Sequence, residues 1–222
     1  RVMKVLVQVD QRTGRLNKDY YIKRKLNPVS CLLLAFLLTT GRRTEEASSL
    51  TWNQYLKGDE PRIRLFETKT SKKNQKLIFG LGDDAVKVLN LILKDRLNNP
   101  ESKFYFPVND PRNNYIFPSR DYGRKLATGK CKSLHIIDPD KTWDKSLKLG
   151  GVERHMKVYA TRHTFATNFW KQTKDLKALA QALGTTEEIA LKYAKLVGDT
   201  VVDGINKIEF FDNEKVVLKQ VN

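Results

Sequence analysis

The sequence predicts an α+β domain that is mainly helical, with a small β-hairpin or sheet on one edge. Three observations carry that expectation. The run Cys31 to Leu38 (CLLLAFLL) is apolar nearly all round, as in a helix buried at the centre of a domain. Several later segments place apolar residues at helical spacing, as with Val86, Leu89, Ile92 and Leu93. One pair of neighbouring segments, Arg62 to Phe66 and Lys76 to Phe79, has the branched and aromatic content of paired strands.

The elements follow in order. Arg1 to Ser30 carries eight Lys/Arg against two Asp, alternates Val2, Leu6 and Val9 with polar residues, and has a turn at Gln11 to Gly14. It reads as a hairpin or extended segment. Pro28 and Ser30 open the buried helix, which runs to about Thr39 and stops at Gly41. A further helix spans Thr44 to Leu50, and Gly58 to Pro61 is a turn before the strand pair. The connection Thr68 to Gln75 makes the hairpin tip rich in lysine. Asp83 and Asp84 are placed to cap a helix from Ala85 to about Leu97. Asn98 to Arg120 is loop-rich, with a short buried strand at Tyr115 to Pro118, and Asp121 to Leu126 reads as a helical turn. Four helices follow: Thr142 to Leu149 ending at Gly150-Gly151, Thr161 to Lys171, Asp175 to Leu183 closed by Gly184, and Glu187 to Leu196. Lys215 to Val221 is strand-like.

Composition narrows the function. The 222 residues hold 41 Lys+Arg against 25 Asp+Glu, a formal net charge of +16, which points to a polyanionic partner. The apolar run is far shorter than the ~20 residues of a membrane span and is not at the N-terminus, so neither a span nor a signal peptide is expected. Cys31 and Cys131 have no paired spacing, which argues against a thiol zinc site or a disulfide framework and fits a reducing compartment. No P-loop or dinucleotide fingerprint is present, and His135, His155 and His163 leave little scope for a histidine metal site. No cofactor and no metal is expected.

Four features bear on chemistry, and each alone would be weak. In Thr40-Gly41-Arg42-Arg43-Thr44-Glu45-Glu46, Arg43 enters a helix start that favours phosphate, and Glu46 is placed to orient its guanidinium. Read alone, the same pair is more often an ordinary surface ion pair. Lys69, in Glu67-Thr68-Lys69-Thr70, is placed to protonate a leaving oxygen, with Lys72, Lys73 and Lys76 as rivals. Arg162, in the run Tyr159 to Thr167 (YATRHTFAT), offers a second planar phosphate clamp. Tyr193 lies eight positions after Thr185 and is a competent nucleophile if cations lower its pKa. It also shares a helix face with Ile189 and Leu196, as a core aromatic would.

Taken in order, these strings resemble the catalytic domain of the tyrosine recombinases, or phage integrases. The resemblance runs from about Leu32 to Leu196 and rests on T-G-R-R-T-E-E, the lysine hairpin, Lys141 to Val152, A-T-R-H-T-F-A-T, and L-G followed by a helical tyrosine. It implies site-specific recombination or integration of double-stranded DNA without metal or ATP. Arg43 and Arg162 would grip one phosphodiester, with Glu46 supporting Arg43. Tyr193 would become joined to a 3′-phosphate while Lys69 protonates the expelled 5′-hydroxyl. Two positions depart from the family pattern. Tyr159 stands where a histidine base is usual, with His155 or His163 as partial substitutes, and Thr185 stands where His or Trp is usual. The spacing from Thr185 to Tyr193 is also about one residue short of the usual.

The resemblance also implies an arrangement. Residues 1–30 form a linker and first basic segment, 31–197 the catalytic domain, and 198–222 a tail exchanged between protomers. The N-terminal clamp domain usual in the family is not found ahead of Cys31, so the chain reads as a catalytic fragment. A homotetramer on two duplexes, inside a cell's cytoplasm, is the expected setting. Two other readings stay open at this point: a catalytically impaired DNA-binding protein on the same scaffold, and a type IB topoisomerase.

Overall fold

A computed structural model describes residues 1–65, 77–97, 99–126 and 129–196. The long helix α3 (Pro28–Thr40) is the centre of the fold. Asn27 caps it by accepting the Val29 N–H, and every residue from Val29 to Leu37 is buried. A helix apolar on all sides needs neighbours on all sides. It has them in α1 (Val2–Leu6), α5 (Asp83–Arg96), α6 (Asp140–Leu149) and α7 (Ala160–Thr173).

Three differences from the sequence expectation appear before α6. Val2 to Leu6 is helical, because Val5 and Leu6 go into the core beside α3 and α6. The hairpin-like part comes later, as a single Val9–Leu16 bridge around a turn in which Asp10 accepts the Arg12 and Thr13 N–H groups. Lys18–Lys23 then forms α2, capped by Asn17 and anchored by buried Tyr21. Residues 1–30 thus supply core side chains, including Leu6, Tyr21 and Leu26. The third difference is at Asp121 to Leu126, which is not a helical turn. Lys125–Leu126 (β4) pairs with Gly129–Lys130 (β5), and Gly123 at φ 78 turns the chain in a way that a helix does not permit.

The main sheet agrees with the expected edge hairpin. Tyr55–Leu56 (β1), Arg62–Leu65 (β2) and Leu77–Gly80 (β3) are antiparallel, with Ile63 opposite Phe79 on the buried face. Lys69 and the rest of the hairpin tip lie outside the described residues, as does the strand-like stretch of the C-terminal tail. Helix α5 begins from Gly82, so Asp83 and Asp84 occupy its first turn, where they favour the positive end of the helix. Tyr115 to Pro118 runs between two bridges, to Thr51 and His135, and buries Ile116 and Phe117.

Two buried clusters result. The larger surrounds α3. The smaller joins α7, α8 (Leu176–Leu183) and α9 (Glu187–Leu196) through Ala166, Leu179, Leu183 and Tyr193. Helix α7 touches α3, so the seam between the clusters is where the end of α3 meets α7 and α8. No helix among the described residues is long and apolar enough to cross a membrane.

Candidate active site

That seam begins at Gly41. It ends α3 in the left-handed region (φ 63), which suits glycine and turns the chain sharply into α4 (Thr44–Ser48). Arg43 is the N-cap residue of α4, a helix of only five residues that stops two short of the expected Leu50. Glu46 binds Arg43 twice: Oε1 accepts from the guanidinium at 2.8 Å and Oε2 accepts from the backbone N–H at 3.4 Å. The Arg43 side chain remains 30% exposed, so it is oriented and still open to a ligand.

Arg162 stands in the first turn of α7 and is 1% exposed. Its Nη1 donates to the Gly41 carbonyl at 2.7 Å and to the Leu183 carbonyl at 3.1 Å. The second of these oxygens belongs to the last turn of α8, where carbonyls lack intrahelical partners and cations are favoured. One guanidinium thus ties together the ends of α3 and α8 two residues from Arg43.

Tyr193 reaches the same place from α9. Its ring packs in the smaller core and it is 4% exposed, so the core-aromatic expectation describes the ring. Its hydroxyl lies 3.4 Å from that of Tyr159, which is 49% exposed at the start of α7. The exposed His163 ring sits against both, with centroids 5.0 Å from Tyr159 and 5.2 Å from Tyr193. Burial raises the Tyr193 phenol above the ordinary 10.0, and the Tyr159 hydrogen bond adds to this, while Arg162 opposes it by hydrogen bond and charge. His155 is elsewhere, 75% exposed and 3.5 Å from Asp144.

The raised phenol is testable. Folding keeps Tyr193 neutral, so its contribution is complete below pH 10 and is lost as the pH rises through the folded value. In an alkaline titration followed by phenolate absorbance, Tyr193→Phe should lack one late-ionising phenol from the group raised by burial, with Tyr20, Tyr21 and Tyr55. An unchanged late phase would show that Tyr193 titrates as a free side chain.

Thr185 follows Gly184 at the end of α8, two residues from the Leu183 carbonyl that takes Arg162. Its N–H closes α8 on the Ala180 carbonyl, and the residue lines an open groove of about 1060 Å³ with Thr40, Phe79 and Phe165. Arg43, Arg162 and Tyr193 do not line that groove. The charged cluster and this groove are therefore adjacent features.

One residue escaped the sequence reading. Arg42 is buried in the same corner, its Nη1 3.9 Å from Glu46, and it is subject to the charges of Arg43 and Arg162. The signal was available in its i,i+4 spacing to Glu46.

Arg43, oriented by Glu46 and open to solvent, and Arg162, held by backbone carbonyls, thus stand in one corner with a buried phenol, residue types that suit an oxyanion beside a nucleophile. The phage integrase family model matches residues 15–195, and the chain belongs to that family. Solved structures with the same fold include the XerH site-specific recombinase bound to a palindromic difH substrate, a post-cleavage complex (TM-score 0.61, 15% identity, covering 93% of this chain and 50% of that one). The pre-cleavage XerH complex on difH gives 0.57 at the same identity and coverage. The XerA recombinase gives 0.58 at 18% identity, covering 94% and 64%. This chain spans about half the length of the XerH chains it matches. No curated protein matches it.

Proposed function

We propose that this domain is a site-specific DNA recombinase or integrase that cleaves and rejoins strands through a covalent 3′-phosphotyrosine. The observation that carries the reading is the convergence on one corner of Arg43 with Glu46, of Arg162 bound to the Gly41 carbonyl, and of the Tyr193 phenol, on which the Arg162 charge acts. The partner is double-stranded DNA, in keeping with family membership and a net charge of +16.

Arg43 and Arg162 hold the non-bridging oxygens of one phosphodiester and neutralise the charge that develops on them. Tyr193 Oη forms a bond to phosphorus as the bond from phosphorus to the 5′ oxygen breaks. His163 accepts the phenol proton, being the histidine whose ring lies against Tyr193. Lys69 donates a proton to the departing 5′ oxygen. Tyr159 and Thr185 give neutral hydrogen bonds to the phosphate, in place of charged ones. A 5′-hydroxyl from a second strand then attacks phosphorus and releases Tyr193. The phosphotyrosine conserves the bond energy, so neither ATP nor a cofactor enters the balance. Four protomers on two duplexes supply both the strands and the partners. Residues 31–197 act as the catalytic domain and 198–222 as a tail shared between protomers.

The experiment is a nicked suicide duplex bearing candidate target sites, from which a short strand is lost on cleavage. A DNA adduct that survives denaturation, and whose digested peptide carries the nucleotide on Tyr193, is the expected product. A folded protein that binds these duplexes and yields no adduct would overturn the reading.

A further inference from the structure

The Arg42 guanidinium is enclosed, yet it is poorly paired. Its Nη2 donates to the Ala182 carbonyl, its Nη1 lies 3.9 Å from Glu46 Oε2, and its carbon centre is 4.5 Å from the Phe79 ring centroid. Nε and Nη1 are buried without a hydrogen-bond partner. Burial is the main force that lowers its pKa to about 10; Glu46 opposes this, and Arg162 and Arg43 add to it. A neutral side chain of similar volume would cost the fold less than this charge does. The retained charge therefore calls for a use.

Its three partners suggest that use, because each belongs to a different segment of the site. Glu46 is the carboxylate that orients Arg43. Phe79 is in β3, the strand that follows the segment containing Lys69. Ala182 directly precedes Leu183, whose carbonyl takes Arg162, and the turn after it leads to the helix of Tyr193. Consecutive open carbonyls at the end of α8 thus receive two guanidiniums, Arg42 beside the Arg43–Glu46 corner and Arg162 from α7.

We propose that Arg42 is a positioning residue, which clasps the Arg43–Glu46 corner to the end of α8 and to β3 and so holds both phosphate-gripping arginines in register with Tyr193. This rests on the strand-cleaving reading above. A fork with donors in fixed directions can hold three segments at once. An ammonium group keeps the charge and loses the geometry.

The test compares Arg42→Met and Arg42→Lys with wild type by melting temperature, affinity for a labelled duplex, and single-turnover adduct formation at saturating DNA. Arg42→Met should melt at or above the wild-type temperature, since a poorly paired buried charge has gone. It should bind duplex within about threefold of wild type while forming adduct about tenfold or more slowly, the pattern of an interaction realised in the reacting complex. Arg42→Lys should recover part of that rate. A lowered melting temperature with a normal rate per folded molecule would make Arg42 merely structural and overturn the proposal. If Arg42→Met does not fold, Arg42→Lys decides alone, and a wild-type rate per folded molecule overturns it.

Failure of the underlying reading is separable. If wild type forms no adduct on any duplex, the comparison passes to sulfate at constant ionic strength. Sulfate should raise the wild-type melting temperature through Arg43 and Arg162, and Arg42→Met should lose most of that rise. A rise equal to wild type overturns the positioning role.

Discussion

Tyr193→Phe is expected to lower covalent adduct formation by on the order of 10³-fold or more, with little change in duplex affinity. The ring stays in its cluster with Ala166, Leu179 and Leu183, so the packing that docks α9 is retained. What leaves is one hydroxyl, in a hydrogen bond of 3.4 Å to Tyr159. A neutral bond of that kind contributes only about 1 kcal/mol to stability. The effect therefore falls on chemistry and not on folding. Trapping on a suicide duplex measures it, with fluorescence anisotropy for affinity. An adduct at the wild-type rate would move the nucleophile elsewhere. Tyr159 is the neighbouring phenol, and the double variant with Tyr159→Phe would show whether it takes over.

Gly41→Ala is expected to destabilise the fold by about 2–4 kcal/mol, from a residue forced into the left-handed region and an overpacked corner. The added Cβ would meet Phe165 Cδ1 at 2.3 Å and Cγ at 2.8 Å, with Leu183 Cδ2 at 3.0 Å. These atoms belong to α7 and α8, the helices that bring Arg162 and the Leu183 carbonyl to the site. Moving them apart also stretches the 2.7 Å bond from Arg162 to the Gly41 carbonyl. Activity should fall further than the loss of folded protein accounts for. Gly58→Ala is the control: its Cβ meets nothing within 4 Å, so its stability should stay within about 1 kcal/mol of wild type. Denaturant titration of both variants gives the comparison. Equal stabilities would mean that Phe165 does not close this corner.

Much of this was legible along the chain because the physics there is local. The apolar run at Cys31 to Leu38, the helical spacing in α5 and α6, and the Gly184 stop each state a preference that neighbours in sequence can satisfy. The ordered strings around Arg43 and Arg162 pointed to the family, which the match over residues 15–195 bears out. The first segment was harder, because Val2, Val5 and Leu6 suit a short helix as well as an extended stretch. Burial against α3 and α6 selected the helix.

Residue types and their order thus settled the charge, the helical class and the family of this chain. Folding settled where each arginine lies. Adjacent letters in the sequence, Arg42 and Arg43 part at the turn after Gly41: one guanidinium is sealed against Phe79 and Ala182, and the other is left 30% exposed beside Glu46. Tyr193 likewise became a buried ring with its hydroxyl against Tyr159 and under the charge of Arg162. Burial, carbonyl partners and mutual repulsion arise between segments distant in sequence. Such forces have no values until α3, α7 and α8 meet.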